Sequence, residues 1–255
     1  MNVNRGKRIA LFPTCLAAFF RPSVVRAAER LLREAGFAPE IPLNQTCCGQ
    51  PNLNGGDRDG ARRIARHTIA LLTEFDFVVV PSGSCAGTII NQYSALFEKG
   101  SAEEKAASEL ATKTYELTAF LVKFTKRRKK PVLPKGEIAF HDSCSCFREL
   151  RIFNAPRALL AEHGMAIAEI ANPERCCGFG GLFSVKFGEI SSHLAAEKCQ
   201  AFTATGASTI VGSDLGCLLN LAGKLKAQGS EIKVRHIAEV LAEETGTPAI
   251  GEANP

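Results

Sequence analysis

Two cysteine sets with one spacing constrain this chain more than any other feature. Cys15 is followed by 31 residues and then Cys47-Cys48-Gly49; Cys144 is followed by 31 residues and then Cys176-Cys177-Gly178. The differences 144 − 15 and 176 − 47 are both 129. A last cysteine closes each set, Cys85 after 36 further residues and Cys217 after 39. The flanks agree, Val78-Val-Val-Pro-Ser-Gly-Ser-Cys85 mirroring Thr209-Ile-Val-Gly-Ser-Asp-Leu-Gly-Cys217. One offset held at successive positions marks a tandem duplication, so the chain must fold as two copies of one unit. The expected domains are residues 1–130 and 131–255. Between them run Lys126-Arg-Arg-Lys-Lys130 and Pro131 to Gly136, charge followed by Pro and Gly, which is linker composition. The basic run reads as a solvated helix end, or as a docking patch for an acidic partner. Gly246 to Pro255 reads as a frayed tail.

With 45% apolar and 22% charged residues over 255 positions, the chain is neither disordered nor collagenous nor a coiled coil. A net charge of +5 gives no ground for a nucleic-acid partner. The basic start at Arg5, Lys7 and Arg8 and the apolar run after it resemble an export signal, but Pro13 interrupts the run and Ile138 to Cys144 repeats it in mid-chain. No run approaches the roughly 18 apolar residues of a membrane span. The expected location is the cytoplasm, where clustered thiols bind metals or do chemistry rather than pair as structural disulfides.

Strand and helix patterns alternate in each half. Strands are expected at 9–12, 39–43 and 77–80, with helices at 24–35, 58–73 and 87–97. The second half repeats this with strands at 138–140, 166–170 and 208–211 and helices at 156–163, 184–204 and 218–226. Such alternation implies an α/β fold, two tandem Rossmann-like units with parallel sheets, related by pseudo-two-fold symmetry. Each cysteine set then follows the carboxyl ends of three strands, where open α/β sheets place ligands.

Neighbouring residues of an extended chain point to opposite faces, so both thiols of a Cys-Cys pair reach one site only through an irregular loop. The following Gly supplies that backbone. Zinc prefers ligand pairs two to four residues apart, whereas an iron–sulfur cluster spreads its ligands over several irons. Iron–sulfur is the favoured reading; zinc and a redox-active disulfide remain open. Cys199, inside an expected helix, reads as a small buried residue. Cys146, two residues past Cys144, is either a bystander or a residue that coordinates or exchanges with Cys144. His141 is either a hydrogen-bond donor to a cluster sulfur or a capped strand end. Gly180, Gly181 and Ser184 open a helix and offer only a weak anion signal. The sequence shows no Ser-His-Asp order, paired-carboxylate motif or nucleotide fingerprint.

The pattern resembles the tandem cysteine-rich CCG domains found in heterodisulfide reductase and in the iron–sulfur component of glycolate oxidase. It is most similar to the lactate utilisation protein A family. The stretches that carry the likeness are Cys47-Cys-Gly-Gln-Pro51, Pro81-Ser-Gly-Ser-Cys85, Lys113-Thr-Tyr-Glu-Leu-Thr118, Cys176 to Lys186 and His236-Ile-Ala-Glu-Val-Leu241. The likeness spans residues 8 to about 242. It implies an iron–sulfur electron-transfer subunit acting with a second iron–sulfur protein and a third companion in oxidising L-lactate to pyruvate, without catalytic activity of its own. Cys15, Cys47, Cys48 and Cys85 would hold one cluster, and Cys144, Cys176, Cys177 and Cys217 the other. Heterodisulfide reductase closes each set with Cys-x-x-Cys and a fifth thiolate. Here Ser82 and Asp214 stand at that position, so four thiolates per site imply an ordinary [4Fe–4S] cluster. The rival readings are a heterodisulfide-reductase-like thiol/disulfide oxidoreductase and a scaffold subunit with zinc in one or both halves.

Overall fold

The structure is a computed structural model that describes residues 6–125, 136–244 and 246–252. The basic run at 126–130 and the Pro-rich stretch to Lys135 lie outside the described residues. The chain divides into two compact units, Met1–Lys126 and Arg127–Pro255.

In the first unit the order is β1 (Ile9–Leu11), α1 (Cys15–Phe20), α2 (Pro22–Glu34), β2 (Pro39–Glu40), α3 (Gln50–Asn54), α4 (Arg58–Leu72), β3 (Phe77–Val80), α5 (Gly83–Gly87), α6 (Ala102–Lys113), β4 (Thr114–Glu116) and α7 (Leu117–Phe124). The second unit runs β5 (Gly136–His141), α8 (Asn154–Glu162), β6 (Met165–Ala168), α9 (Leu182–Lys186), α10 (Gly188–Thr203), β7 (Thr209–Gly212), α11 (Leu215–Ala227), β8 (Lys233–His236) and α12 (Ile237–Leu241). The sheets have the orders β2-β1-β3-β4 and β6-β5-β7-β8, and every neighbouring pair is parallel. The fold is therefore α/β, built from two repeated Rossmann-like units.

Short apolar strands buried on both faces explain the sheets. Ile9, Ala10 and Leu11 of β1 and Val78, Val79 and Val80 of β3 are fully buried. Helix α2 begins with Pro22, whose missing N–H costs nothing there, and buries Val24, Ala27, Ala28, Leu31 and Leu32 as one stripe. Helix α4 is capped by Asp57, which accepts from Gly60 N–H at 2.9 Å. Its buried positions Ala61, Ala65, Thr68, Ile69 and Leu72 recur on α10 as Ser191, Ala195, Lys198, Cys199 and Phe202. The two helices thus present the same face to their sheets.

The structure corrects the sequence reading at four places. Each sheet has a fourth strand, β4 or β8, beyond the three expected. The helix expected at 87–97 is a π turn (Thr88–Gln92) and a 3-10 turn (Ser94–Leu96), and the next full helix is α6. The helix expected at 184–204 is broken at Phe187 into α9 and α10. The tail expected from Gly246 is instead docked: Ala249 and Ile250 are buried, and Ile250 N–H donates to Val234 O at 2.8 Å. No helix among the described residues is long and apolar enough to cross a membrane.

Candidate metal centres

In the order β2-β1-β3-β4 the chain leaves β1 first to one side and then to the other. The switch lies between β1 and β3, and open α/β sheets bind ligands beyond the strand ends at that point. Cys15 opens α1 just after β1, Cys85 lies in α5 just after β3, and Cys47-Cys48 end the loop after β2. Strand order repeats in the second unit, and so does the placement of Cys144 after β5, Cys217 in α11 after β7 and Cys176-Cys177 after β6.

The four sulfurs of each unit touch in the same sequence. Cys15 meets Cys47, Cys47 meets Cys48, and Cys48 lies 3.2 Å from Cys85, sulfur to sulfur. Cys144 meets Cys176, Cys176 meets Cys177, and Cys177 meets Cys217. All ten cysteines are free thiols.

The glycine after each pair explains the motif. Gly49 has φ +85° and Gly178 φ +83°, the left-handed region that side chains disfavour. This turn aims the glycine N–H back at the first sulfur: Gly49 N–H donates to Cys47 Sγ at 3.4 Å and Gly178 N–H to Cys176 Sγ at 3.3 Å. A Cβ on Gly49 would stand 3.3 Å from Ile64, and one on Gly178 would collide with the Ser191 carbonyl. Cys-Cys-Gly is thus a backbone device that puts two adjacent sulfurs on one site and supplies one of them with an amide donor.

Charge concentrates on that first sulfur. Hydrogen bonds from Cys15 and then Cys48, with Gly49 N–H, pull Cys47 down to about 3. Contacts with Cys144 and Cys177 pull Cys176 down to about 2. Their neighbours Cys15, Cys48, Cys144 and Cys177 are pushed up, because each donates to an anionic sulfur and burial adds to the effect. In each unit the contacts thus favour charge on the first thiol of the Cys-Cys pair over its neighbours. Four thiols so joined are the donor set that an iron–sulfur cluster or a zinc ion takes.

The surroundings differ between the units. Buried Tyr93 donates to Cys48 O at 2.8 Å in the first, and Asn220 Nδ2 donates to Cys177 O at 2.8 Å in the second. Neither was expected from sequence, since Tyr93 lies eight residues beyond Cys85 and Asn220 three beyond Cys217. The cysteine-bearing loops are pinned by His67 Nε2 on Asn44 O (2.8 Å) and by fully buried Lys198 Nζ on Pro173 O (2.7 Å). Thr14, ahead of Cys15, takes φ +64°. In the second unit Asp142 occupies the corresponding loop, with a side chain only 1% exposed and held by Arg157 through two bonds of 2.9 and 2.8 Å.

Ser82 is the N-cap of α5, its hydroxyl accepting from Cys85 N–H at 3.4 Å. Asp214 is the N-cap residue of α11 and is buried. Cys199 is fully buried, as a small core residue should be, with its sulfur 3.8 Å from Leu221 O. Cys146 is buried, 3.3 Å from Ser213 Oγ. His141 ends β5 with 1% exposure, and burial, reinforced by Lys198, pushes its imidazole down to about 3, so the ring is neutral. Its ring nitrogen and the sulfurs of Cys177 and Cys217 all lie within 4.8 Å of one another.

Comparison with known proteins agrees with this architecture. The cysteine-rich domain family termed CCG matches twice, at residues 9–90 and 138–222. A lactate utilization protein A of Shouchella clausii is 43% identical over 234 residues, covering 91% of this chain and 98% of that protein. The protein of that name from a Geobacillus species is 41% identical over 235 residues, covering 92% and 98%. A hypothetical protein from Helicobacter pylori shares the fold at TM-score 0.69 with 14% identity, over 98% of this chain and half of that longer one. The chain belongs to the CCG cysteine-rich domain family and, within it, to the lactate utilization protein A family.

Proposed function

We propose that this chain is an iron–sulfur electron-transfer subunit of a system that oxidises L-lactate to pyruvate. The observation that carries the reading is the same chain of four touching thiols built twice, each at the switch point of a parallel sheet. Cys15, Cys47, Cys48 and Cys85 hold one cluster in a domain comprising residues 1–130. Cys144, Cys176, Cys177 and Cys217 hold the other in 131–255. Four thiolates per site suit [4Fe–4S], and such a cluster supplies reversible one-electron storage.

The residues of the chain fix the ligands. The Gly49 and Gly178 amides hold the charged sulfur of each pair, Tyr93 and Asn220 hold the carbonyl beside it, and burial of Cys48 and Cys177 keeps water from one side of each site. The bond-breaking step on lactate is assigned to companion proteins, a second iron–sulfur protein and a third subunit. Phe19 and Phe20 on α1, which opens with Cys15, are 82% and 70% exposed, and Val185 on α9 is 81% exposed. Apolar side chains left this open beside both sites support a chain that works against partners. The cytoplasm suits free thiols of this kind.

The test is anaerobic purification followed by iron and acid-labile sulfide analysis. About eight of each per chain is expected for two [4Fe–4S] clusters. The loaded chain alone should give no lactate-dependent dye reduction, and activity should appear when the companions are added. Zinc without iron would replace the reading with a scaffold. Sustained lactate oxidation by the isolated chain would make it an enzyme in its own right.

A further inference from the structure

We infer that the two metal centres are chemically unequal: the second takes His141 as an imidazole ligand beside Cys177 and Cys217, whereas the first is ligated by thiolates alone. The inference rests on the reading above that both sites hold metal.

The first support is placement. The His141 ring nitrogen lies with the Cys177 and Cys217 sulfurs in a group whose members are all within 4.8 Å of one another. One imidazole with two thiolates around one ion is ordinary for zinc, and imidazole replaces thiolate on a cluster iron in Rieske centres. The second support is an unmet requirement. His141 is 1% exposed, and neither Nδ1 nor Nε2 has a hydrogen-bond partner. A buried neutral imidazole carries one N–H and one bare lone pair, and buried polar atoms are rarely left orphaned. A metal on the bare nitrogen would use that lone pair. Lys198, the cation whose charge acts on this ring, is committed to Pro173 O.

The third support comes from the duplication. The offset of 129 aligns His141 with Phe12, and the strand pairing agrees. Ala10 pairs with Val78 and Ala139 with Ile210; 139 − 10 is 129, and 210 − 78 is 132, the same as 217 − 85 for the closing cysteines. Phe12 is 1% exposed. The fold therefore fills this place with hydrocarbon in one unit, and packing alone does not call for a polar ring in the other. The second site thus offers five donors, four thiols and one imidazole, where the first offers four thiols.

The experiment uses the full chain, purified anaerobically, with iron and zinc counted in the wild type and in Cys47→Ser, which keeps only the second site. If the second site holds iron, pulsed electron paramagnetic resonance of reduced Cys47→Ser, prepared with ordinary and isotopically labelled histidine, should show a nitrogen coupling that follows the label. If it holds zinc, X-ray absorption at the zinc edge should show a nitrogen shell at about 2.0–2.1 Å beside sulfur at about 2.3 Å. His141→Phe, which copies the first unit, should abolish the nitrogen signal. It should also weaken metal retention by the second site against a chelator by at least the roughly 10–100-fold that loss of a supporting residue costs, with the first site unchanged. An all-sulfur shell in the second site would overturn this inference and leave the electron-transfer reading standing. Absence of metal from both sites in the wild type would overturn the two together. The wild-type spectra decide the matter even if His141→Phe fails to fold.

Discussion

Arg157→Leu tests how the second unit holds its metal-binding loop. Asp142 lies between His141 and Cys144, with its carboxylate 1% exposed and bonded by both terminal nitrogens of Arg157. The guanidinium, 15% exposed, also stacks on Phe153 with its carbon 3.6 Å from the ring centre, and binds Glu169. Removing one partner of a buried pair leaves an uncompensated charge, at a cost of about 3–5 kcal/mol. The lost stacking adds about 0.5–2 kcal/mol. Glu169 is 52% exposed, so its share is below about 1 kcal/mol. Arg157→Leu should therefore lower the stability of the second unit by about 3.5–8 kcal/mol. For a unit of this size that is a fall in Tm of roughly 10–40 °C. The double variant Arg157→Leu/Asp142→Leu should recover most of it, because neither charge then remains buried. The assay is urea unfolding of the full chain after metal removal, so that metal binding does not mask the change, followed by circular dichroism. A loss under about 1 kcal/mol, or a double variant no better than the single, would show that the pair does not hold the loop.

Further outcomes follow from the same geometry. Cys47→Ser and Cys176→Ser should each remove one site's metal and leave the other loaded; loss of all metal from either variant would mean one centre spanning both halves. Cys199→Ala should retain full metal content, as measured by iron analysis. Gly49→Ala should cost about 1–2 kcal/mol, the usual penalty of left-handed backbone. Gly178→Ala should cost more, because its methyl meets the Ser191 carbonyl rather than the movable Ile64 side chain; equal unfolding free energies would contradict this. Arg157 holds Glu169 below its usual range, so that bond contributes above the ordinary glutamate pKa and is lost as pH falls through the lowered value. Glu169→Gln should cost under about 1 kcal/mol at neutral pH, with the difference from wild type vanishing at acid pH in parallel urea titrations.

The duplication, the central strands and the convergence of four cysteines were legible because each rests on a strong local signal. β1 and β3 are uninterrupted apolar runs, and Cys-Cys-Gly recurs at one fixed offset. The fourth strands were not legible. Thr114-Tyr-Glu116 and Lys233-Val-Arg-His236 are short, polar edge strands, and charged residues at an edge protect it from pairing at the expense of strand pattern. The break at Phe187 is hidden because residues on both sides of it form helices. The docking of Ala249 and Ile250 depends on β8, which the sequence did not reveal. Tyr93 and Asn220 escaped for a different reason: they serve corresponding cysteines from non-corresponding positions, so comparison of the halves does not expose them.

That last difference separates what the duplicated unit must keep from what it is free to change. Both units keep the order of sulfur contacts and the glycine amide on the first thiol of the pair, which follow from the left-handed glycine turn after each pair. The supports around them are interchangeable. A phenol or a carboxamide can hold the carbonyl of the second cysteine, since either provides one donor at 2.8 Å. A strained Thr14 or a buried Asp142–Arg157 pair can fix the turn before the first cysteine. A His67 or a Lys198 can pin the loop before the pair. Each of these differences leaves the order of sulfur contacts the same in both units. Exchange of Phe12 for His141 puts an imidazole nitrogen beside two of the sulfurs. Duplication gave two copies of one scaffold, and divergence around the sulfurs changes what each site presents while the strand order stays the same.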